Sequence, residues 1–277
     1  EFEKLAEEGF NHVPLVLECF ADLDTPLSIY LKYANKPFSY LLESVQGGEQ
    51  FGRYSFVGLP SRVRYEVRGH TCVEICDDAV VAQVEREDPI GWVSELQQRT
   101  KAYYRDDLPR FLGGLVGYFG YETVHMIESR VGRGKSKSDP IDCPDILLLH
   151  SEEVIVYDNL AGKLYFVVFA NPQDTEAYEL GQTRLTELFA ALRKPIDEPE
   201  EGAHELAVPH EETPQDVFTE SVARAKAYIH EGDIMQVVLS QRMSVPFHAP
   251  PLSLYRSLRA LNPSPYMYYV EIGDVTV

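Results

Sequence analysis

Two short stretches concentrate the side chains that could recognise a ligand. Leu41-Leu42-Glu43-Ser44 closes a strand-like run ahead of a Gly47-Gly48 turn, and Arg53 follows shortly after. A carboxylate and a hydroxyl therefore sit at one strand end, with a guanidinium nearby. Taken alone, a solvated turn carries the same residues. The second stretch is Asn262-Pro263-Ser264-Pro265-Tyr266-Met267. Its two prolines fix φ on either side of Ser264 and stiffen the chain. Tyr266 and Met267 add an aromatic ring and a polarisable thioether, a wall suited to a flat aromatic ligand. Alone, this stretch reads more readily as a helix stop.

Other signals are blander. Residues 111–122 (FLGGLVGYFGYE) are glycine-rich but lack the Lys and hydroxyl of a phosphate loop. A bulged strand packed tightly between sheets is favoured over a ligand cradle. His125, at its rim, reads as a surface residue. The phosphate-loop, dinucleotide and zinc-protease motifs are absent. Cys19, Cys72, Cys76 and Cys143 are too sparse for a disulfide framework. Cys72 and Cys76 share a strand face with no second Cys/His pair at zinc spacing, so free thiols and no metal ligands are expected.

The elements that must position these residues follow from periodicity. Val13–Phe20 reads as a strand, and Asp24-Thr25-Pro26 starts a helix. Residues 62–68, 71–76 and 79–84 alternate with period two and read as a three-stranded meander. Asp88-Pro89 starts a helix expected to reach about Tyr104. Residues 146–157 and 163–170 read as one hairpin, and Asn171-Pro172 as the start of a further helix. Residues 215–230 read as a helix broken by Gly232-Asp233, 234–245 as a strand and 250–261 as a helix. Tyr266–Ile272 and Val275–Val277 close the chain as a hairpin, whose abrupt end suggests a truncated protein.

The 277 residues carry 25 Lys+Arg against 44 Asp+Glu, a net charge of −19, with 44% hydrophobic residues. That composition is globular and fits one large or two ordinary domains. The charge argues against nucleic-acid binding, which needs a basic face. No apolar run is long enough to cross a membrane, and no secretory segment opens the chain. Residues 195–216 hold eight carboxylates and four prolines with no Lys or Arg. They read as a solvated linker.

The segments 41–58, 111–122, 232–243 and 258–270 occur in an order and spacing that resembles the N-terminal half of anthranilate synthase component I, a chorismate-utilising family. The resemblance covers essentially the whole chain outside the linker. It implies an α/β fold with an antiparallel β-sandwich-type core and flanking helices, incomplete because the chain is truncated. It implies a regulatory region over 1–194, a linker over 195–214 and the start of the catalytic region over 215–277. It implies a cytoplasmic lyase making anthranilate and pyruvate from chorismate, with ammonia from a glutamine amidotransferase subunit (component II). Mg²⁺ is the implied cofactor, with its ligands and the catalytic residues beyond residue 277, so these residues alone are expected to be inactive. L-Tryptophan is the implied feedback inhibitor, held by Glu43, Ser44, Pro265, Tyr266 and Met267. Some members also use a basic residue after the Glu-Ser pair, and Arg53 is the nearest match. The large subunit of aminodeoxychorismate synthase and a non-catalytic tryptophan-binding module are the competing readings.

Overall fold

The computed structural model describes residues 2–44, 52–128, 130–131, 141–196 and 207–277. They form two compact units, Glu1–Glu198 with Tyr255–Val277, and Pro199–Leu254. The contact boundary at Tyr255 thus falls inside the stretch 215–277 that the sequence groups together.

The larger unit is built on two antiparallel sheets. The first has seven strands: β1 (Val13–Phe20), β2 (Ser39–Glu43), β3 (Tyr54–Gly58), β9 (Glu153–Asp158), β10 (Lys163–Ala170), β13 (Met267–Ile272) and β14 (Val275–Thr276), in the order β1-β10-β9-β3-β2-β13-β14. The second has five: β4 (Val63–Arg68), β5 (Thr71–Cys76), β6 (Ala79–Glu85), β7 (Gly114–Phe119) and β8 (Ile146–Ser151), in the order β6-β5-β4-β8-β7. This is the expected antiparallel sandwich. Tyr40 and Ile272 from the first sheet and Leu147 and Leu149 from the second share one buried cluster. The Tyr40 hydroxyl also meets Ser151 Oγ at 2.8 Å, tying the two sheets together through a buried polar pair.

Helices cover the outer faces. Trp92, Val93 and Leu96 of the helix Pro89–Arg99 pack on Tyr65, Val67, Ile146 and Leu148 of the five-stranded sheet. The helices Pro26–Tyr33 and Ala177–Ala191 lie on the seven-stranded sheet. The first begins with a capping box in which the Ser28 amide donates to Thr25 Oγ1 and the Thr25 amide donates to Ser28 Oγ. Thr25→Ala is expected to cost about 1 kcal/mol of stability. An unchanged urea midpoint would contradict that role for the cap.

Close approach explains two glycines. A Cβ on Gly58 would fall 2.0 Å from the Tyr40 ring, its partner across β2 and β3. A Cβ on Gly117 would fall 1.9 Å from the Leu147 carbonyl oxygen. The glycine-rich segment is therefore a packed strand, as its composition suggested.

Four expectations need correction. Residues 146–157 are not one strand: β8 pairs with β4 and β7, while β9 pairs with β3 and β10 in the other sheet. Both faces of the run are buried, so its apolar pattern carries no mark of the crossing at Glu152. The helix from Pro89 stops at Arg99, because Asn11 Nδ2 donates to the Arg99 carbonyl and Asn11 Oδ1 accepts from the Lys101 amide. The helix expected at Pro172 starts at Ala177; Asn171 Oδ1 accepts from the Gln173 amide and holds a turn instead. Residues 234–242 are irregular, and only Met243–Ser244 (β12) is paired, with His210–Glu211 (β11). Among the described residues no strand lies beside 234–242 to complete its hydrogen bonds.

In the smaller unit, β11 and β12 accompany the helix Gln215–Glu231, which ends at Gly232 with φ 85°. The Arg242 guanidinium grips the Glu212 carboxylate beside the β11–β12 pair. The middle of the acidic stretch, 197–206, lies outside the described residues. All four cysteines are free thiols.

Candidate functional site

Strand pairing assembles the site from distant residues. β2 and β13 run antiparallel, with Glu43 opposite Met267 and Leu41 opposite Tyr269. Strand alternation then divides the faces. Tyr40 and Leu42 face the sandwich core, whereas Leu41 and Glu43 face the outer, helix-covered side. Directly opposite residues share a face, so Met267 stands beside Glu43.

Glu43 is 4% exposed although it ends its strand. The Tyr255 hydroxyl donates to its Oε2 at 2.6 Å. Arg259 donates through Nε to Oε2 at 3.0 Å and through a terminal nitrogen to Oε1 at 3.1 Å. A carboxylate this deep needs such donors, since unpaired burial of charge is prohibitive. Burial raises the Tyr255 phenol, and the hydrogen bond to Glu43 and its charge raise it further, so the phenol stays a donor. Tyr255 and Arg259 stand one turn apart on the helix Pro251–Leu261 and so point the same way.

Ser44 links the two recognised segments. Its hydroxyl donates to the Pro265 carbonyl at 2.7 Å. Its amide donates to Ser55 Oγ at 3.5 Å, and Asn159 Nδ2 donates to the same oxygen at 3.2 Å. Tyr266 is 72% exposed, and Met267 is half-buried. The structure thus gathers Glu43, Ser44, Pro265 and Met267, with Tyr266 on the open flank.

Arg53 is placed differently. Its Nε and a terminal nitrogen donate to Asp158 Oδ2 at 3.1 and 2.8 Å, and its guanidinium lies 4.8 Å from the Tyr54 ring centroid. Arg53 therefore braces the β9–β10 turn, where Asp158 Oδ1 also accepts the amides of Leu160 and Ala161. Asp158 is fully buried. Burial alone would raise its pKa, but Arg53 and the two amides outweigh it, and the net shift is downward. A depressed folded pKa adds stability that is complete above the unfolded value of about 3.9 and is lost as pH falls through the folded value. Asp158→Asn should therefore unfold less steeply than the parent below about pH 4. Parallel acid-unfolding curves would contradict this.

Tyr255 and Arg259 were not singled out from the sequence, nor were Ser55 and Asn159. The available signal was Arg259 on the same helical stripe as Tyr255, a buried-side arginine in want of a carboxylate.

Mg²⁺ prefers six oxygen ligands in an octahedron. Among the described residues, one group of three ligand-bearing side chains converges, His12, His150 and Glu152. Two imidazoles and one carboxylate do not suit Mg²⁺. A cavity of about 890 Å³ lies along β1, lined by Glu3, Tyr103, Arg105, Asp174 and Tyr178 among others, and touches none of the six recognised residues.

Comparison with known proteins supplies the family. The model of the family described as chorismate binding enzyme matches residues 40–277. Anthranilate synthase component 1 of Pseudomonas putida is 48% identical over 284 residues, covering 100% of this chain and 57% of that protein. The Neisseria meningitidis serogroup B protein of the same name is 45% identical, covering 99% and 56%. The crystal structure of anthranilate synthase component I from Streptococcus pneumoniae superimposes with a TM-score of 0.66 at 23% identity, over 93% of this chain and 55% of that one. That likeness confirms the fold. The chain spans a little over half the length of the curated relatives it matches. It belongs to the chorismate binding enzyme family.

Proposed function

We propose that this chain is the effector-binding part of an anthranilate synthase component I, and that L-tryptophan is the effector held at the β2–β13 junction. The observation that carries the reading is the Ser44–Pro265 hydrogen bond beside the Glu43–Met267 pair. It joins two segments that both belong to the recognised pattern and lie 221 residues apart. The chemistry suits a zwitterionic aromatic amino acid. Glu43 Oε1, which takes one bond from Arg259, can accept another from an ammonium, and Ser44 Oγ, whose proton goes to the Pro265 carbonyl, can accept from the same group. Tyr266 and Met267 offer part of the wall an indole needs.

The complete enzyme, on this reading, is a cytoplasmic lyase that turns chorismate and ammonia into anthranilate and pyruvate. Ammonia comes from glutamine through an amidotransferase partner, and Mg²⁺ is the cofactor. These residues span a little over half the length of the relatives they match, and turnover by them alone is not expected. A ligand that touches both β2 and the 265–267 segment regulates by its differential affinity for two arrangements of those strands.

The test is product analysis on the complete protein, with chorismate, Mg²⁺ and an ammonium salt at alkaline pH. Anthranilate fluorescence and pyruvate are expected to rise together. An aminated product without pyruvate would replace this reading with aminodeoxychorismate synthase.

A further inference from the structure

We propose that His12, His150 and Glu152 form a binding site for a divalent transition metal of the zinc class, separate from the Glu43 cluster. His12 stands just before β1, His150 lies on β8, and Glu152 occupies the crossing between the two sheets. Each offers one ligand atom, and these atoms lie within 4.8 Å of one another.

The strongest observation is an orphan. His12 Nε2 is sealed from solvent and has no hydrogen-bond partner. A buried polar nitrogen without a partner is costly and rare. The nearest opposite charge is Glu152 Oε1 at 3.9 Å, too far for a hydrogen bond. It is close to the spacing of two ligands on one ion. Bonds of about 2.0–2.1 Å in a tetrahedron put ligand atoms roughly 3.3 Å apart. Closing the set asks ligand atoms up to 4.8 Å apart to draw together and the near-parallel His12 and His150 rings to tilt, because each ring ligates in its own plane, while Glu152, with a side chain 43% exposed, has room to move.

The His12 ring is also held in place. It stacks on His150 at 5.2 Å and 17°, and on Phe169 at 5.0 Å and 30°.

Two imidazoles and a carboxylate select zinc-like ions over Mg²⁺ or Ca²⁺. The site would join the start of β1 to the β8–β9 crossing. Its expected consequence is stabilisation of the folded state through binding.

The test titrates the purified protein with Zn²⁺ by calorimetry and with Co²⁺ by visible absorption. One ion per chain is expected, with the Co²⁺ spectrum of a four-coordinate site. Glu152→Gln and His12→Gln should each weaken binding at least about tenfold. Cys76→Ala should leave it unchanged, and Zn²⁺ should raise the melting temperature of the parent but not of Glu152→Gln. Glu152 is partly exposed, so its variant decides the matter even if His12→Gln fails to fold. Absence of binding, equal binding by Glu152→Gln, or loss of binding in Cys76→Ala would each overturn the proposal.

Discussion

Arg259→Met is expected to lower the unfolding free energy by about 3 kcal/mol, the low end for breaking a buried ion pair. The carboxylate it leaves behind explains the size. Side-chain exposure is 2% for Glu43 and 36% for Arg259. The guanidinium therefore keeps part of its hydration, whereas Glu43 has almost none to fall back on. Without Arg259, Tyr255 is the remaining donor named at Glu43, through a single hydrogen bond. Adding Glu43→Gln to Arg259→Met removes the stranded charge, so the double variant should be more stable than Arg259→Met alone. Urea unfolding measures this as a shift in midpoint at constant slope. A single-variant loss below about 0.5 kcal/mol, as for an ordinary exposed pair, would contradict the burial argument.

The meander β4–β6 was legible because its strands alternate cleanly and turn at Gly69-His70 and Asp77-Asp78. The sheet crossing at Glu152 was not, because Ile146–Leu149 is apolar at every position and serves two cores at once. Both recognised segments could be picked out in advance, and the resemblance named Glu43, Ser44 and Met267. What no local pattern carried was their meeting, which depends on the pairing of β2 with β13. Arg53 shows the opposite limit. The resemblance offers it as the basic residue after the Glu-Ser pair, and the structure pairs it with Asp158, which reads in sequence as an ordinary turn residue. Tyr255 and Arg259 carry no local mark beyond the helical stripe they share, because the carboxylate they serve lies 212 and 216 residues away. The His12 cluster is likewise a product of tertiary packing between distant strands.

The second large effect concerns ligand recognition. Ser44→Ala removes a hydroxyl that orders the 265 carbonyl and, on the proposed reading, bonds a charged end of the effector. Loss of one hydrogen bond to a charged group costs about 1.5–3 kcal/mol, or roughly ten- to a hundredfold in affinity. Met267→Thr should act in the same direction by removing apolar wall. Neither residue belongs to a bond-making group in this account, so chorismate turnover should survive both changes. The deciding measurement is calorimetric titration of the complete enzyme with L-tryptophan, parent against Ser44→Ala, with pyruvate release followed in parallel. The account predicts a dissociation constant raised about ten- to a hundredfold with turnover retained. Unchanged tryptophan affinity, or turnover lost in the same proportion, would contradict it.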